Sequence, residues 1–289
     1  MTLARDEARS RGEVVLRDVS KSYGPERFAT QVVRDCSFVA PAQKFTIVIG
    51  PSGVGKSTLV RLIAGFERPT SGEILIDRRP VTGPARDRLV VFQETALFPW
   101  MTTERNILFG PKARGEQTAA SAKRADFLLG KVGLSAFRKH FPSQLSGGMQ
   151  RRAELARALI NNPDVMILDE PFRGLDAMTK KLMLEYYARL SEEHPRTNLF
   201  ITTDIDEAIF LADRLLVMSH IPTRVSAVID VDLPRPRNFT DLFRNNRANS
   251  IKMEALSLLH DEAMKGFAGG RRAASDFIEA YRRRVAAAE

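Results

Sequence analysis

Short apolar runs alternate with longer segments of helical periodicity along most of the chain. The runs at 44–49 (KFTIVI) and 165–168 (VMIL) have the length and the continuous apolar character of strands buried on both faces. Further strands are predicted at 13–20, 32–39, 73–76, 89–92, 199–202 and 215–218, and helices at 59–64, 117–132, 149–160 and 180–192. This alternation predicts an α/β fold with a mostly parallel sheet, interrupted by a helical region at about 94–160.

The pattern weakens after His220, where Pro222, Pro234 and Pro236 indicate a boundary. Helical periodicity returns at 250–264 and at 275–285, and the glycines of 266–270 predict a flexible break between these two helices. We therefore expect one large domain at 1–231, followed at 232–289 by a C-terminal helical extension of unknown role. A solvated helical tail is the expectation for that extension.

Composition narrows the class of protein. The 289 residues are 44% hydrophobic and 27% charged, which is typical of folded globular chains. Cys36 is the single cysteine, so internal disulfides and zinc clusters of several cysteines are excluded. Neither a secretory signal nor an apolar run of membrane-spanning length is present, which favours a cytoplasmic location. The net charge of +9 suits nucleic acid, an anionic membrane surface or a phosphate-bearing ligand, without deciding between them.

The chemistry begins at a glycine-rich loop between the strand at 44–49 and the helix at 59–64. Positions 50–57 read GPSGVGKS and match the P-loop pattern, in which backbone N–H groups surround phosphates, Lys56 neutralises them and Ser57 ligates magnesium. The alternative is a glycine-rich turn that only caps a helix. The predicted ATP-binding residues are Gly50, Pro51, Ser52, Gly53, Val54, Gly55, Lys56, Ser57 and Thr58.

A second element follows the apolar run 165–168, which ends in Asp169 and Glu170. Open α/β sheets bind ligands at the carboxyl ends of their strands. Asp169 is therefore predicted to hold the magnesium ion, and Glu170 to polarise the attacking water. Taken alone, the pair could be two solvated acids after a strand.

A third motif, LSGGMQ at 145–150, lies between these two and precedes a helix. With the P-loop and the acidic strand end in this order, it resembles the signature motif of ABC transporter ATPases. The resemblance covers about 14–231. It implies an ABC ATPase fold, in which an antiparallel β part precedes the P-loop core and a helical subdomain is inserted. It also implies a head-to-tail dimer, in which Ser146, Gly147, Gly148 and Gln150 face the ATP bound by the partner's P-loop.

Other positions gain roles through the same resemblance. Gln93 is similar to the glutamine that reaches the metal and the attacking water, and Asp176 lies in a segment similar to the D-loop, which connects paired subunits. Tyr23 resembles the aromatic residue that stacks on adenine, although an ordinary core or surface tyrosine remains the alternative. The apolar segment 96–101 contains Trp100 and suits a pocket for a permease's coupling helix, or packing within the helical region.

Thr203 departs from the family pattern, because ABC ATPases usually carry a histidine there that contacts the γ-phosphate. A hydroxyl donates one hydrogen bond but carries no positive charge. We expect Thr203 to lie at the hydrolytic site, with Glu170 and Gln93, and hydrolysis to persist. A nucleotide-gated assembly module with weak hydrolysis is the alternative.

Segments 171–179 and 206–213 resemble the bacterial nitrate, sulfonate and taurine importers. This resemblance implies an ATPase on the cytoplasmic face of the inner membrane, paired as a homodimer or with a second ATPase subunit. Its expected partners are a separate permease and a solute-binding protein, and its cofactors are ATP and Mg²⁺. No nucleic acid is expected. The alternatives are an ABC ATPase of lipid traffic, of export or of nucleic-acid processing.

Overall fold

The computed structural model describes residues 11–286, and it describes the side chains of these except at 26, 243 and 267–286. The strands are β1 (Val14–Tyr23), β2 (Thr30–Ala40), β3 (Phe45–Ile49), β4 (Ser71–Ile76), β5 (Arg79–Pro80), β6 (Arg88–Val91), β7 (Val165–Asp169), β8 (Thr197–Thr202), β9 (Arg214–Met218) and β10 (Val225–Asp230). The helices are α1 (Lys56–Ala64), α2 (Thr103–Ile107), α3 (Phe109–Ala113), α4 (Ala119–Lys131), α5 (Gly147–Leu159), α6 (Ala177–Glu193), α7 (Ile205–Leu211), α8 (Phe239–Arg244) and α9 (Asn246–Ala286).

A six-stranded sheet carries the fold, in the order β10-β9-β3-β8-β7-β6. Strands β9, β3, β8, β7 and β6 are parallel, and β10 joins the edge antiparallel to β9. Every residue of β3 and β7 is buried. The prediction of a mostly parallel sheet is confirmed, and β3, β7 and β8 end side by side, since parallel strands share one carboxyl edge.

The two faces of this sheet contribute to two different cores. In β7, Met166 and Leu168 pack with helices α6 and α7, whereas Val165 and Ile167 face α1 and the second sheet. That second sheet is antiparallel, in the order β2-β1-β4-β5. The antiparallel β part implied by the family resemblance is therefore present before and after the P-loop. The alternation of side chains along a strand explains how one apolar run can serve both cores.

The helical region forms a third core of its own. Buried side chains of α4 and α5 meet there, among them Leu128, Leu129, Ala153 and Ala156. The sequence predicted α4 and α5 within a few residues, but α2 and α3 were missed because each has only five residues. The inserted helical subdomain is thus packed around its own apolar centre between β6 and β7.

As far as Ala255, the C-terminal segment is not a solvated tail. Phe239, Ala248, Ile251 and Ala255 are buried in the same core as β3 and β7, and the Phe239 ring stacks on Phe210 at 4.2 Å. The proposed boundary at 231 therefore does not separate two cores. The predicted break at 266–270 is also wrong, because α9 continues through it as one helix. A glycine costs helix stability but does not by itself end a helix.

Candidate functional site

The P-loop connects β3 to α1 and is shaped by glycines. Gly55 has φ +95°, a conformation that side chains other than glycine rarely adopt, and a Cβ there would lie 2.7 Å from Cγ1 of Val32. Helix α1 begins at Lys56, three residues earlier than predicted, and ends as expected at Gly65. The start of the helix therefore directs the backbone N–H groups of its first turn toward the space above the loop.

Lys56 is almost fully buried inside this loop. Its Nζ donates hydrogen bonds of 2.8 Å to the carbonyl oxygens of Gly50 and Pro51. Burial lowers the pKa of the Lys56 ammonium, and the charges of Glu170 and Asp169 act in the opposite direction. A buried cation in a loop with open N–H groups is suited to bind phosphate.

The two acids follow β7 at the carboxyl edge of the sheet, beside the P-loop. Asp169 is 8% exposed and hydrogen-bonded to Ser57. Burial raises the pKa of Asp169, a change that the Ser57 bond and the charge of Lys56 partly counteract. The backbone N–H of Glu170 donates to the carbonyl of Ile201 at 2.9 Å, which ties this turn to β8.

A magnesium ion bound with ATP fits this donor set. A buried carboxylate and a hydroxyl supply the oxygen ligands that Mg²⁺ prefers, and such ions usually take few protein ligands together with substrate phosphates. Within the described part of the chain, no cluster of three or more acidic, histidine or cysteine side chains forms a metal cage. Asp169 and Ser57 are the residues that would hold the ion. Gln93 is exposed just beyond β6, next to β7 in the sheet.

Tyr23 lies at the edge of the same site. Its hydroxyl donates to Oε2 of Glu67 at 2.6 Å, Lys21 lies 5.0 Å from the ring centroid, and the side chain also hydrogen-bonds Thr58. The ring is 36% exposed. An aromatic face is thus available beside the first turn of α1, as adenine stacking requires.

The signature segment caps the start of α5. Oγ of Ser146 accepts from the N–H of Met149 at 3.3 Å, and Gln150 donates to the carbonyls of Pro142 and Leu145. A Cβ at Gly148 would lie 3.4 Å from Cγ2 of Thr179, so the signature lies against the start of α6. Gln150 thus shapes the preceding loop in this chain.

Asp176 and Thr203 mark the two remaining predicted positions. Asp176 caps α6 through Oδ1, which accepts from the N–H groups of Met178 and Thr179. Hydrogen bonds from Thr179 lower the pKa of Asp176. Thr203 is exposed, directly after β8 and therefore at the same carboxyl edge as Asp169. The structure brings Thr203 to the edge that carries the acids, and it gives Asp176 a capping role as well.

Sequence reasoning missed a buried cluster on α5 that holds the segment after Gln93. Arg151 donates to the backbone carbonyls of Phe92 and Gln93, and it forms a buried 2.6 Å ion pair with Glu154. Glu154 in turn accepts from the N–H of Ala96 at 3.1 Å. The only available signal was two charged residues on a helix face that is otherwise apolar.

Comparison with known proteins identifies the family. The family model of ABC transporters matches residues 33–173. An uncharacterized ABC transporter ATP-binding protein of Methanocaldococcus jannaschii is 39% identical over 222 residues, covering 77% of this chain and 82% of that protein. The nitrate import ATP-binding protein NrtD of Synechococcus elongatus is 40% identical over 84% of this chain and 89% of its own length.

Two further similarities agree. The aliphatic sulfonates import ATP-binding protein SsuB of Bacillus cereus is 39% identical over 78% of this chain and 88% of its own. A dimeric ATP-binding cassette solved after hydrolysis, with ADP and Pi bound, superposes with a TM-score of 0.68 at 29% identity, covering 76% of this chain and all of that one. The chain therefore belongs to the ABC transporter family, as an ATP-binding subunit that hydrolyses ATP.

Proposed function

We propose that this chain is the ATPase of an importer for small oxyanions, and that it works as a dimer with a separate membrane permease. The observation that carries the ATPase part of the proposal is the meeting of Lys56, Ser57, Asp169 and Glu170 at one strand edge. The relatives named for nitrate and aliphatic sulfonate import support the substrate class. A solute-binding protein would deliver the anion.

Different residues of the chain have different roles in the reaction. The P-loop N–H groups and Lys56 would bind the phosphates, and Tyr23 would stack on the adenine. Asp169 and Ser57 would hold a magnesium ion, which would neutralise phosphate charge. Glu170 accepts a proton from water as its oxygen attacks the γ-phosphorus. The bond from that phosphorus to the β–γ bridging oxygen breaks, and ADP and phosphate leave. Gln93 and Thr203 would border the attacking water.

The dimer explains the position of the signature. Ser146 caps α5 of the helical part and Gly147 and Gly148 begin that helix, whereas the P-loop follows β3 of the main sheet. A second chain placed head to tail would bring its signature over this P-loop, and Asp176 would lie at the junction. Closing over ATP excludes water and strengthens every charge interaction at the site.

A cavity of about 470 Å³ next to the segment after Gln93 supports the permease contact. Trp100 is 68% exposed, and its ring packs on Phe98, which in turn packs on Phe109. The cavity is lined by Trp100, Met101, Arg105, Leu108, Phe109, Lys112 and Gln117. An amphipathic helix of the permease would insert here, at the membrane's cytoplasmic face. No helix in the described part of the chain is both long and apolar enough to cross a membrane.

Phosphate release tests the chemistry. We expect Mg-ATP turnover that rises faster than linearly with protein concentration, and that disappears in Glu170→Gln. A linear dependence would contradict the shared dimer sites, and turnover by Glu170→Gln would contradict the assigned base. Co-purification with a co-expressed candidate permease tests the contact. Trp100→Ala should lose the permease while keeping ATP binding, and Phe127→Ala, another exposed aromatic, should keep both.

Thr203 favours a second candidate, a nucleotide-gated module. Such a chain would dimerise on ATP but release almost no phosphate, even with its permease. Dimerisation measured by light scattering, together with phosphate release from the same samples, separates the two functions.

A further inference from the structure

Thr203 leaves the hydrolytic site without a cation from β8. Its side chain is exposed, and a hydroxyl cannot carry positive charge. Lys180 of α6 is already paired with Asp204 and Glu207 at 3.1 Å each. Lys56 acts on Glu170 through its charge, but its Nζ is hydrogen-bonded to carbonyls of the P-loop. A cation that pairs directly with the Glu170 carboxylate therefore comes from another element.

The turn after β7 supplies such a group. Nη1 of Arg173 lies 3.1 Å from Oε2 of Glu170, and the backbone N–H of Arg173 donates to the Glu170 carbonyl at 3.1 Å. The Glu170 side chain is 15% exposed and that of Arg173 is 62% exposed. The guanidinium thus covers the carboxylate from the solvent side.

The backbone fixes Glu170 in an uncommon conformation. Its φ is +44°, in the left-handed region that residues other than glycine rarely adopt. Such strain persists where the surroundings hold it, and here β8 does so through the Ile201 carbonyl. Since the main chain is held, the direction of the carboxylate depends on what its oxygens bind.

Only one oxygen of the Glu170 carboxylate takes part in the ion pair. Oε2 is bound by Arg173, and Oε1 has no hydrogen-bond partner among the described residues. A base with one oxygen anchored and the other open is oriented for proton transfer, in the way a third group orients the base in other hydrolytic sites.

We propose that Arg173 is a positioning residue for hydrolysis, which orients the Glu170 carboxylate through this ion pair. This inference rests on the proposed role of Glu170 as the base. Arg173 acts through Glu170 and does not bind nucleotide. Its removal should therefore lower kcat and leave the KM for ATP unchanged.

The test is a set of variants of the full chain, assayed for phosphate release at saturating Mg-ATP and for ATP affinity by calorimetry. We expect Arg173→Ala to lower kcat about 10²-fold, the usual cost of misplacing a reacting group. KM and ATP affinity should stay within twofold. Arg173→Lys should retain a larger part of kcat than Arg173→Ala, because an ammonium keeps a positive charge beside the Glu170 carboxylate.

Arg17→Ala is the matched control. Arg17 is 63% exposed and paired with Glu73 at 2.9 Å, on the antiparallel sheet, and its removal should leave kcat unchanged. Unchanged or faster turnover in Arg173→Ala would overturn the inference, as would an equal loss in Arg173→Lys or a loss that appears in KM instead of kcat. Because Glu170→Gln is measured in parallel, failure of the base itself is distinguished from failure of Arg173.

Discussion

The charged form of Asp169 is unfavourable for folding but is needed for magnesium binding. Burial raises the pKa of its carboxyl, so the charged form is less stable in the folded chain than in the unfolded one. The contribution of this group to stability is therefore present at low pH and is lost as pH rises through the folded-state pKa. Magnesium binding, however, needs the charged form.

Asp169→Asn should consequently stabilise the nucleotide-free protein at pH 7.5. The Tm of the nucleotide-free variant should therefore lie above that of the wild type. Mg-ATP should raise the Tm of the wild type by mass action but have little effect on the variant. Calorimetric scans check both, with Asp261→Asn, at an exposed position of α9, as the reference. A lower Tm for Asp169→Asn would contradict the argument.

Two glycines of the P-loop allow a comparison of conformational strain with close packing. Gly53 and Gly55 both have positive φ, but a Cβ at Gly53 would meet nothing within 4 Å, whereas at Gly55 it would strike Val32. Gly53→Ala should cost roughly 1–2 kcal/mol of stability from backbone strain alone. Gly55→Ala should cost more and weaken ATP binding. Urea titrations measure both costs in the free energy of unfolding. Equal values would show that the Val32 side chain moves aside without a measurable cost.

The residues of contiguous motifs could be predicted from the sequence, because strand, loop and helix follow each other within a few positions. Lys56, Ser57, Asp169 and Glu170 were found in this way. Arg173 was passed over, although it is next to these motifs, since nothing in its neighbours shows which way a long side chain turns. The assigned roles of Tyr23 and Gln93 stay predictions.

At the scale of elements, α5 does more than present the signature. Its buried ion pair between Arg151 and Glu154 holds the backbone that leads from β6 to the Trp100 cavity. Movement of α5 with the helical part would therefore be transmitted to Gln93 through these bonds. This long-range contact is invisible in the sequence, because its partners are separated by the whole helical insertion.

Two variants can separate what the Arg151–Glu154 pair contributes to stability from what it contributes to ATP turnover. Arg151→Ala should cost about 3–5 kcal/mol, because it leaves Glu154 buried without its cation. The double variant Arg151→Met with Glu154→Leu should recover much of that stability, since apolar side chains of similar size fill the space. Its ATP turnover should nevertheless stay low, because the bonds to the Gln93 segment are gone. Full turnover in a stable double variant would show that the bonds are dispensable.

At the scale of the whole molecule, the C-terminal segment completes the main core. Its apolar positions looked like an ordinary amphipathic tail, because the surface they cover is formed by strands and helices far earlier in the chain. Sequence periodicity gives the buried face of a helix but not its partner. The fold class could therefore be predicted, and the place of α8 and α9 could not.

Ile251→Ala should destabilise the entire chain. Ile251 is fully buried, and removing a buried isoleucine side chain costs about 2–5 kcal/mol. Met253→Ala, on the same helix but 66% exposed, should have little effect. Thermal unfolding followed by phosphate release should show ATPase activity lost together with α9 structure in Ile251→Ala. Separate transitions would mean that α9 is an independent unit.

Helix α9 is also hydrogen-bonded to a loop that reaches the P-loop. Burial alone would raise the pKa of Glu262, but hydrogen bonds from Lys265, the His220 N–H and Ser226 lower it to about 2. The loop that begins at His220 continues to Thr223, which bonds the backbone of β2 beside Gly55.

Coupling between two sites is reciprocal. If the contacts of α9 raise the affinity for ATP, then ATP binding stabilises α9 by the same free energy. Amide hydrogen exchange at 246–262 should therefore slow when nucleotide binds, and Glu262→Gln should reduce that slowing. Exchange in α9 that is indifferent to ATP would mean that the two ends of this connection are energetically independent. If they are coupled, the local stability of α9 depends on whether nucleotide is bound at the P-loop.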